Sequence, residues 1–476
     1  MSFDYDLVIL GGTIAAREAA VMARSWGARV AIVAPSPAEG WHWAEDEGLW
    51  SAALAQLAQL ANPVHQACPF GVDSLPRSAD ETPSWSTTVD WLTHVLAQGR
   101  ADYSPTALTL LGIEIIFGQA AFQRQPRLGV RVGDRLLIAR TYLIAVGSQA
   151  VQSKSALPTL NPITVETLWK HRSTLPARIA IVGEEPIALE LAQALTRFGS
   201  QVTLLTHYPY LLPREDGEAA QLIQSYLEAE GIRVLTQTPL QQLQWLPPGK
   251  GLQVGDWTIA VEELLTTHRV TALDTLNLGA AGVVWHGRGI PVNQRLQTSN
   301  PRIYACGEAL GGYSPGHLAE YEAAVAVKNA LFIASHRIDR STIPFTLLTS
   351  PRLARVGLTE PQARQRYGRS IQVITQTVKS SAKAQILDQP IGFCKFLVRP
   401  TGEMVGAHWV GVEADEGIGA IALAMKHRIT LGELAFQLPA LTACETITQA
   451  AMQWKTKYVN PRWRDWAEGW FNLRRR

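Results

Sequence analysis

One pattern occurs twice in this chain and restricts its fold more than any other. In residues 5–34, YDLVILGGTIAAREAAVMARSWGARVAIVA, a hydrophobic run (Leu7 to Leu10) stops at Gly11-Gly12. It passes into an Ala-rich segment of helical period (Ala15 to Trp26) and returns to a second hydrophobic run (Val30 to Val33). Residues 178–206, RIAIVGEEPIALELAQALTRFGSQVTLLT, repeat the order of strand, glycine turn, helix and strand. That order is the βαβ unit of nucleotide-binding sheets, and two copies predict an α/β chain with two Rossmann-like domains.

Both glycine turns are altered. The fingerprint G-x-G-x-x-G needs its first glycine for a tight turn, its second for close approach to a pyrophosphate and its third for helix packing. The first copy reads Gly11, Thr13 and Ala16, and Ala34 stands where an acidic residue would hold a ribose. Thr13 therefore puts a side chain where backbone should approach a phosphate, whereas Ala16 still permits close packing. The second copy reads Gly183, Glu185 and Ala188, with Glu184 beside Glu185. A helix N-terminus attracts anions, and here two carboxylates can take the phosphate's place. A carboxylate about 4 Å from a pyrophosphate charge would oppose it by about 4 kcal/mol at an effective dielectric near 20, which is roughly a thousandfold in affinity. On the alternative reading the two glutamates are exposed helix-start charges that favour the dipole. NAD(P)H is not expected to bind tightly on either.

At 476 residues and 47% hydrophobic content the chain has the length for three domains and ample core. A net charge of +2 argues against general nucleic-acid binding. Cys68, Cys306, Cys394 and Cys444 lie far apart, with no C-x-x-C pair and no metal spacing, as buried thiols in a reducing compartment would. An acidic start that enters a strand at once leaves no room for a leader, and no apolar run approaches the roughly 20 residues of a membrane span. A cytoplasmic protein is expected.

In chain order, residues 40–62 read as a loop and an Ala/Leu helix, 63–83 as a Pro-rich loop, and 87–98 as an amphipathic helix. Residues 113–122 and 129–148 read as a small antiparallel insert that returns to the parallel sheet at Tyr142 to Val146. After the second βαβ unit come a helix and strand in 211–235 and short β segments to Ala272. A strand at Ile303 to Ala305, a turn at Gly307 and a long helix from His317 follow, and the block from Ile343 to Trp454 reads as an α+β domain.

This order of segments resembles the flavin-dependent pyridine nucleotide-disulfide oxidoreductases, the group of glutathione reductase, dihydrolipoamide dehydrogenase and mercuric reductase. The resemblance spans about residues 4–455. It rests on LVILGGTIAAREAA, TYLIAVGS, IAIVGEEPIALELAQALTRFGSQVTLL, LLPRED, VNQRLQTSNPRIYACGE, HLAEYEAAVAVKNALF and PRLARVGLTEPQAR. It implies an FAD-type domain over 1–150 and 275–340, a degenerate NAD(P)-type domain over 151–274 and a homodimerisation domain over 341–454, ahead of a basic Trp-rich tail over 455–476. The catalytic positions depart from the family. Its C-x-x-x-x-C redox pair falls on Trp43 and Gly48, its lysine on Ala52 and its histidine base on Ala440, whereas the glutamates are retained as Glu190 and Glu445. Dithiol exchange needs a thiolate and a group to manage its proton, so the family reaction by the family route is not expected. No catalytic residue is assigned. The terminal cysteine pair of mercuric reductases is absent, so mercury reduction is not expected either.

FAD is the expected cofactor. The matching contact positions are Gly11, Gly12, Thr13, Ala16, Ala120, Val146, Gly147, Gly307 and Glu308, with His317 at the start of the helix aimed at the flavin ring. Trp41, Trp43 and Trp50 either cover the flavin or fill core. The tail holds seven Lys or Arg against two Asp or Glu, net +5, with Trp463, Trp466, Trp470 and Leu473 at helical spacing. Such a helix lies either on an anionic membrane surface, as in a peripheral protein, or on the protein's own dimer. Two functions fit: a flavoprotein that passes electrons to a non-thiol acceptor such as a quinone, and a pseudoenzyme scaffold for a protein partner or membrane.

Overall fold

The computed structural model describes residues 3–35, 47–61, 85–99, 101–150, 160–171, 174–246, 251–312, 314–458 and 461–475. By packing, the chain divides into two compact units, residues 1–209 with 230–338, and residues 210–229 with 339–476.

The first unit contains two parallel sheets. One has the strand order Ile303–Ala305, Ala139–Ile144, Tyr5–Leu10, Val30–Ala34, Glu114–Phe117. Its central strands are apolar without alternation because both faces are covered, and Leu7, Val8, Ile9 and Leu10 are all fully buried. Helix Ile14–Ser25 lays Ala15, Ala16, Ala19, Ala20 and Ala23 against one face, where helix Gly316–Leu331 adds Ala319, Ala323, Ala326 and Ala330. Rows of alanine let the two helices share that face.

One sequence expectation is corrected here. Residues 113–117 do not belong to the antiparallel insert: Glu114–Phe117 pairs in parallel with Val30–Ala34 as the edge of the main sheet. Ile115 packs into the helix-side cluster and Ile116 into the cluster on the opposite face, so the strand is covered on both sides. The insert proper is Ala120–Gln123, Gly129–Val132 and Arg135–Leu137.

The second parallel sheet has the order Arg233–Leu235, Gln201–Leu205, Arg178–Val182, Glu263–Thr266, Ile163–Thr164. It carries helix Pro186–Arg197 after its central strand. Ser148–Ala150 and Arg269–Thr271 form a two-stranded antiparallel ribbon.

The second unit is built on an antiparallel sheet in the order Phe345–Leu347, Arg352–Gly357, Met404–Gly411, Phe393–Val398, Gln372–Thr377. Helices Ala414–Lys426 and Glu445–Lys457 supply Ile418, Ile421, Ile447 and Ala450 to its core. Helix Gly217–Ala229 belongs to this unit by packing. At its start Asp216 accepts a 2.8 Å bond from the Nζ of Lys395, both side chains being nearly fully buried. Among the described residues no helix is long and apolar enough to cross a membrane.

Candidate functional sites at two nucleotide-type turns

At the first turn, Gly11 has φ +121°, and a Cβ there would stand 2.2 Å from the carbonyl oxygen of Ala145, so only glycine fits. Thr13 behaves differently from the sequence expectation. Its hydroxyl donates to the Ala145 carbonyl at 2.8 Å and accepts from the Ala16 N–H at 3.1 Å. The side chain is thus bound back into the turn as the N-cap of helix Ile14–Ser25, which ties the first strand to the next. Ala16 is fully buried against the sheet. Arg17, which the fingerprint does not single out, is only 1% exposed, and its Nε donates to the Gly12 carbonyl at 2.7 Å.

Val146, Gly147, Gly307 and Glu308 lie at the carboxyl ends of neighbouring strands of the same sheet, the edge where such sheets bind ligands. Glu308 accepts a 2.6 Å bond from the Ser148 N–H, so its side chain spans two strand ends. The Gly307 N–H donates to buried Glu322 at 2.8 Å. A Cβ on Gly307 would lie 3.2 Å from that of Ala319, which sets the first turn of helix Gly316–Leu331 beside this edge. His317 is exposed at the start of that helix. Ala120 is instead part of the apolar cluster beneath the insert, and Ala34 is fully buried. The donor set suits FAD: a glycine turn, a helix N-terminus and a buried cation are what a pyrophosphate needs, and the ribose carboxylate is missing at position 34.

The redox positions divide. Trp41 and Trp43 lie outside the described residues, and Gly48 falls in the first turn of helix Glu47–Ala61. Ala52, the expected lysine position, is exposed, and Ser51 one residue earlier turns inward to donate to the Glu190 carboxylate. Trp50 is core: it is 5% exposed and packs edge-on to Trp169 at 4.9 Å, which meets Trp85 at 5.6 Å. Ala440 is exposed, and Glu445 accepts a 2.9 Å bond from the Ala382 N–H. Cys68 lies outside the described residues. Burial raises the Cys306, Cys394 and Cys444 thiols, with neighbouring Glu322 adding to the effect at Cys306 and the Cys444 sulfur at Cys394. None of the three is poised as a thiolate.

The second turn is occupied by its own side chains. The Glu185 carboxylate accepts from the Glu184 N–H at 3.2 Å and from the Thr267 hydroxyl at 2.9 Å, and its Oε1 lies 3.3 Å from Nδ1 of His268. It does not cap helix Pro186–Arg197. Burial pushes this carboxyl up, but the bond and charge of His268, with the backbone N–H and Thr267, bring it below the usual carboxylate range. In return the Glu185 bond raises His268 against the effect of burial. Glu184 sits between two imidazoles, its Oε2 3.9 Å from Nδ1 of His207 and 3.9 Å from Nε2 of His268. Neither histidine was evident from the sequence. Both follow strand ends, and that shared offset is the signal that would have found them.

Residues 5–327 match the family model of pyridine nucleotide-disulphide oxidoreductases, and residues 343–451 match the model of that family's dimerisation domain. A dihydrolipoyl dehydrogenase of Bacillus subtilis (strain 168) is 30% identical over 445 residues, covering 89% of this chain and 93% of that protein. A mercuric reductase of Staphylococcus aureus is 29% identical over 461 residues, 94% of this chain and 82% of its own. Among solved structures, LpdA of Mycobacterium tuberculosis superposes with a TM-score of 0.83 at 24% identity, covering 94% of this chain and 99% of that one. The HOCl-induced flavoprotein disulfide reductase RclA of Escherichia coli superposes with a TM-score of 0.78 at 23% identity, again over 94% and 99%. The chain belongs to the pyridine nucleotide-disulphide oxidoreductase family, whose members are FAD-binding flavoproteins that use NAD(P)H.

Proposed function

We propose that this protein is a homodimeric FAD-binding oxidoreductase that does not reduce disulfides by the thiol route and passes electrons to a non-thiol acceptor such as a quinone. The observation that carries the reading is the chemistry at the redox positions. Gly48, Ala52 and Ala440 offer neither thiol nor base, and burial holds the described cysteines as neutral thiols. FAD supplies a reversible two-electron acceptor when bound. Gly11, Gly12, Thr13 and Ala16 would hold its pyrophosphate at the helix N-terminus, with Arg17 as a nearby cation. Val146, Gly147, Gly307 and Glu308 would receive the ribityl side, and the helix that begins near His317 would face the ring, with Ala120 further off in the insert. Glu190 and Glu445 are spent on Ser51 and the Ala382 N–H rather than on a lysine and a histidine. On this reading residues 1–150 with 275–340 act as the FAD domain and 151–274 as a nucleotide domain that has lost tight NAD(P)H binding.

Purified protein should be yellow and should turn over neither glutathione disulfide nor lipoamide with NADH or NADPH, while a quinone reoxidises it after chemical reduction. Turnover of either disulfide at ordinary enzyme rates would sink the proposal. Colourless protein that cannot be reconstituted with FAD would favour the pseudoenzyme scaffold.

A second reading concerns the tail. Helix Pro461–Arg474 stacks Trp466 and Trp470 at 6.1 Å and exposes Phe471 and Leu473 beside its basic residues. These exposed aromatic and basic side chains suit either an anionic lipid surface or docking on the protein's own dimer. A chain ending at Val459 should lose co-sedimentation with phosphatidylserine vesicles, and unchanged binding would refute the lipid contact.

A further inference from the structure

We propose that Glu184, His207 and His268 form a binding site for a divalent transition cation of the zinc class, with Glu185 orienting His268, at the edge of the second sheet where a nucleotide would otherwise sit. The backbone builds the site. Gln201–Leu205, Arg178–Val182 and Glu263–Thr266 are adjacent parallel strands in register, with Val182 paired to both Leu205 and Thr266. Each candidate ligand stands two residues past the end of its strand. Neighbouring strands are about 4.8 Å apart, so equal offsets place the Glu184 carboxylate in the middle with an imidazole on each side of it.

The distances follow. Glu184 Oε2 is 3.9 Å from one nitrogen of each histidine, and one donor atom from each of Glu184, Glu185 and His268 lies within 4.8 Å of the others. Donors around a tetrahedral zinc at about 2.1 Å stand roughly 3.4 Å apart, so each imidazole has to approach Glu184 by about half an ångström, and His207, exposed and outside the group of mutually close donors, has to swing in toward His268 to complete the set. His268 presents Nε2 to Glu184 while its Nδ1 meets Glu185, which is itself held by Thr267 and the Glu184 N–H. A carboxylate on the far nitrogen of a ligating imidazole fixes its tautomer and strengthens it as a ligand. Two imidazoles favour zinc, cobalt, nickel or copper over magnesium and calcium, which prefer oxygen. Two carboxylates that repel a pyrophosphate attract a dication at the same place.

Full-length protein freed of metal with a chelator and titrated with Co2+ near pH 7.5 is expected to bind one ion per chain. The signature is the visible absorption of four- or five-coordinate cobalt, displaced by Zn2+ but not by millimolar Mg2+. Glu184→Gln and the double variant His207→Asn/His268→Asn should weaken binding at least a hundredfold, and Glu185→Gln about ten- to a hundredfold. Circular dichroism and the thermal midpoint without metal will establish that each variant is folded. Affinity should fall as the solution is acidified, because a ligating imidazole must be free of its proton. The site does not exist if folded wild-type protein shows no cobalt absorption at millimolar Co2+, or if the double variant binds as tightly as wild type. The readout needs neither flavin nor turnover, so its failure leaves the proposed oxidoreductase untouched.

Discussion

A single carboxylate fills the second turn without capping the helix that follows it. Glu185 takes the Glu184 N–H and sits against an imidazole, so a dinucleotide would have to displace a formed ion pair as well as overcome its charge. Glu185→Gly should therefore tighten NADPH binding by about a hundred- to a thousandfold, as read by fluorescence titration. No gain would show that the turn excludes the nucleotide for another reason. The pair also fixes a pH dependence. His268 is raised from its ordinary 6.5, so its contribution is complete below that pH and is lost as pH rises through the higher folded value. Glu185 is lowered from 4.5, so its contribution is present above that pH and is lost as pH falls through the lower folded value. Stabilisation by the pair is greatest between the two. In metal-free protein His268→Asn should lower the thermal midpoint near about pH 5.5 and have little effect near about pH 9; an equal loss at both would show that the ring acts by packing alone.

At the scale of elements, aromatic packing accounts for helix Glu47–Ala61. Trp50 meets Trp169, Trp169 meets Trp85, and Trp85 meets Phe198, all edge-on at 4.9 to 5.9 Å. Such pairs add about 0.5–1.5 kcal/mol each beyond area burial. Trp50→Ala should cost about 3–5 kcal/mol in urea unfolding, and a loss below about 1 kcal/mol would mean that the cluster contributes little to stability. The choice between cover and core for this tryptophan was open in the sequence because a tryptophan beside a turn has no periodic signature. Burial against the Trp169 ring, which continues the chain to Trp85 and Phe198, decides it. The strand Glu114–Phe117 shows the same limit: IEIIF fits an edge of either sheet, and only its parallel pairing with Val30–Ala34 places it.

At the scale of the molecule, the C-terminal unit carries the family's dimerisation domain over residues 343–451. Sedimentation should give a single species of twice the 52.1 kDa chain mass, and a monomer at micromolar concentration would separate this chain from its family in assembly. The ion cluster that buries Lys395 with Asp216, Glu218 and Glu360 belongs to this unit. It joins Gly217–Ala229 to a sheet nearly two hundred residues away, a link that no local pattern announces.

What the amino-acid order determined by itself was the architecture and the losses. Two strand-turn-helix-strand repeats, the altered glycines and the absence of a thiol pair and an imidazole base are all local, and local patterns are readable one segment at a time. What only the tertiary structure decided was which side chains meet. Thr13 folds into its own turn, Ser51 rather than position 52 faces Glu190, Arg17 is buried beside Gly12, and His207 and His268 flank Glu184. Arg17 and Gly12 are only five positions apart, but the other encounters join residues as much as 139 positions apart and depend on strand order, register and helix packing, none of which is written in any single stretch of the chain.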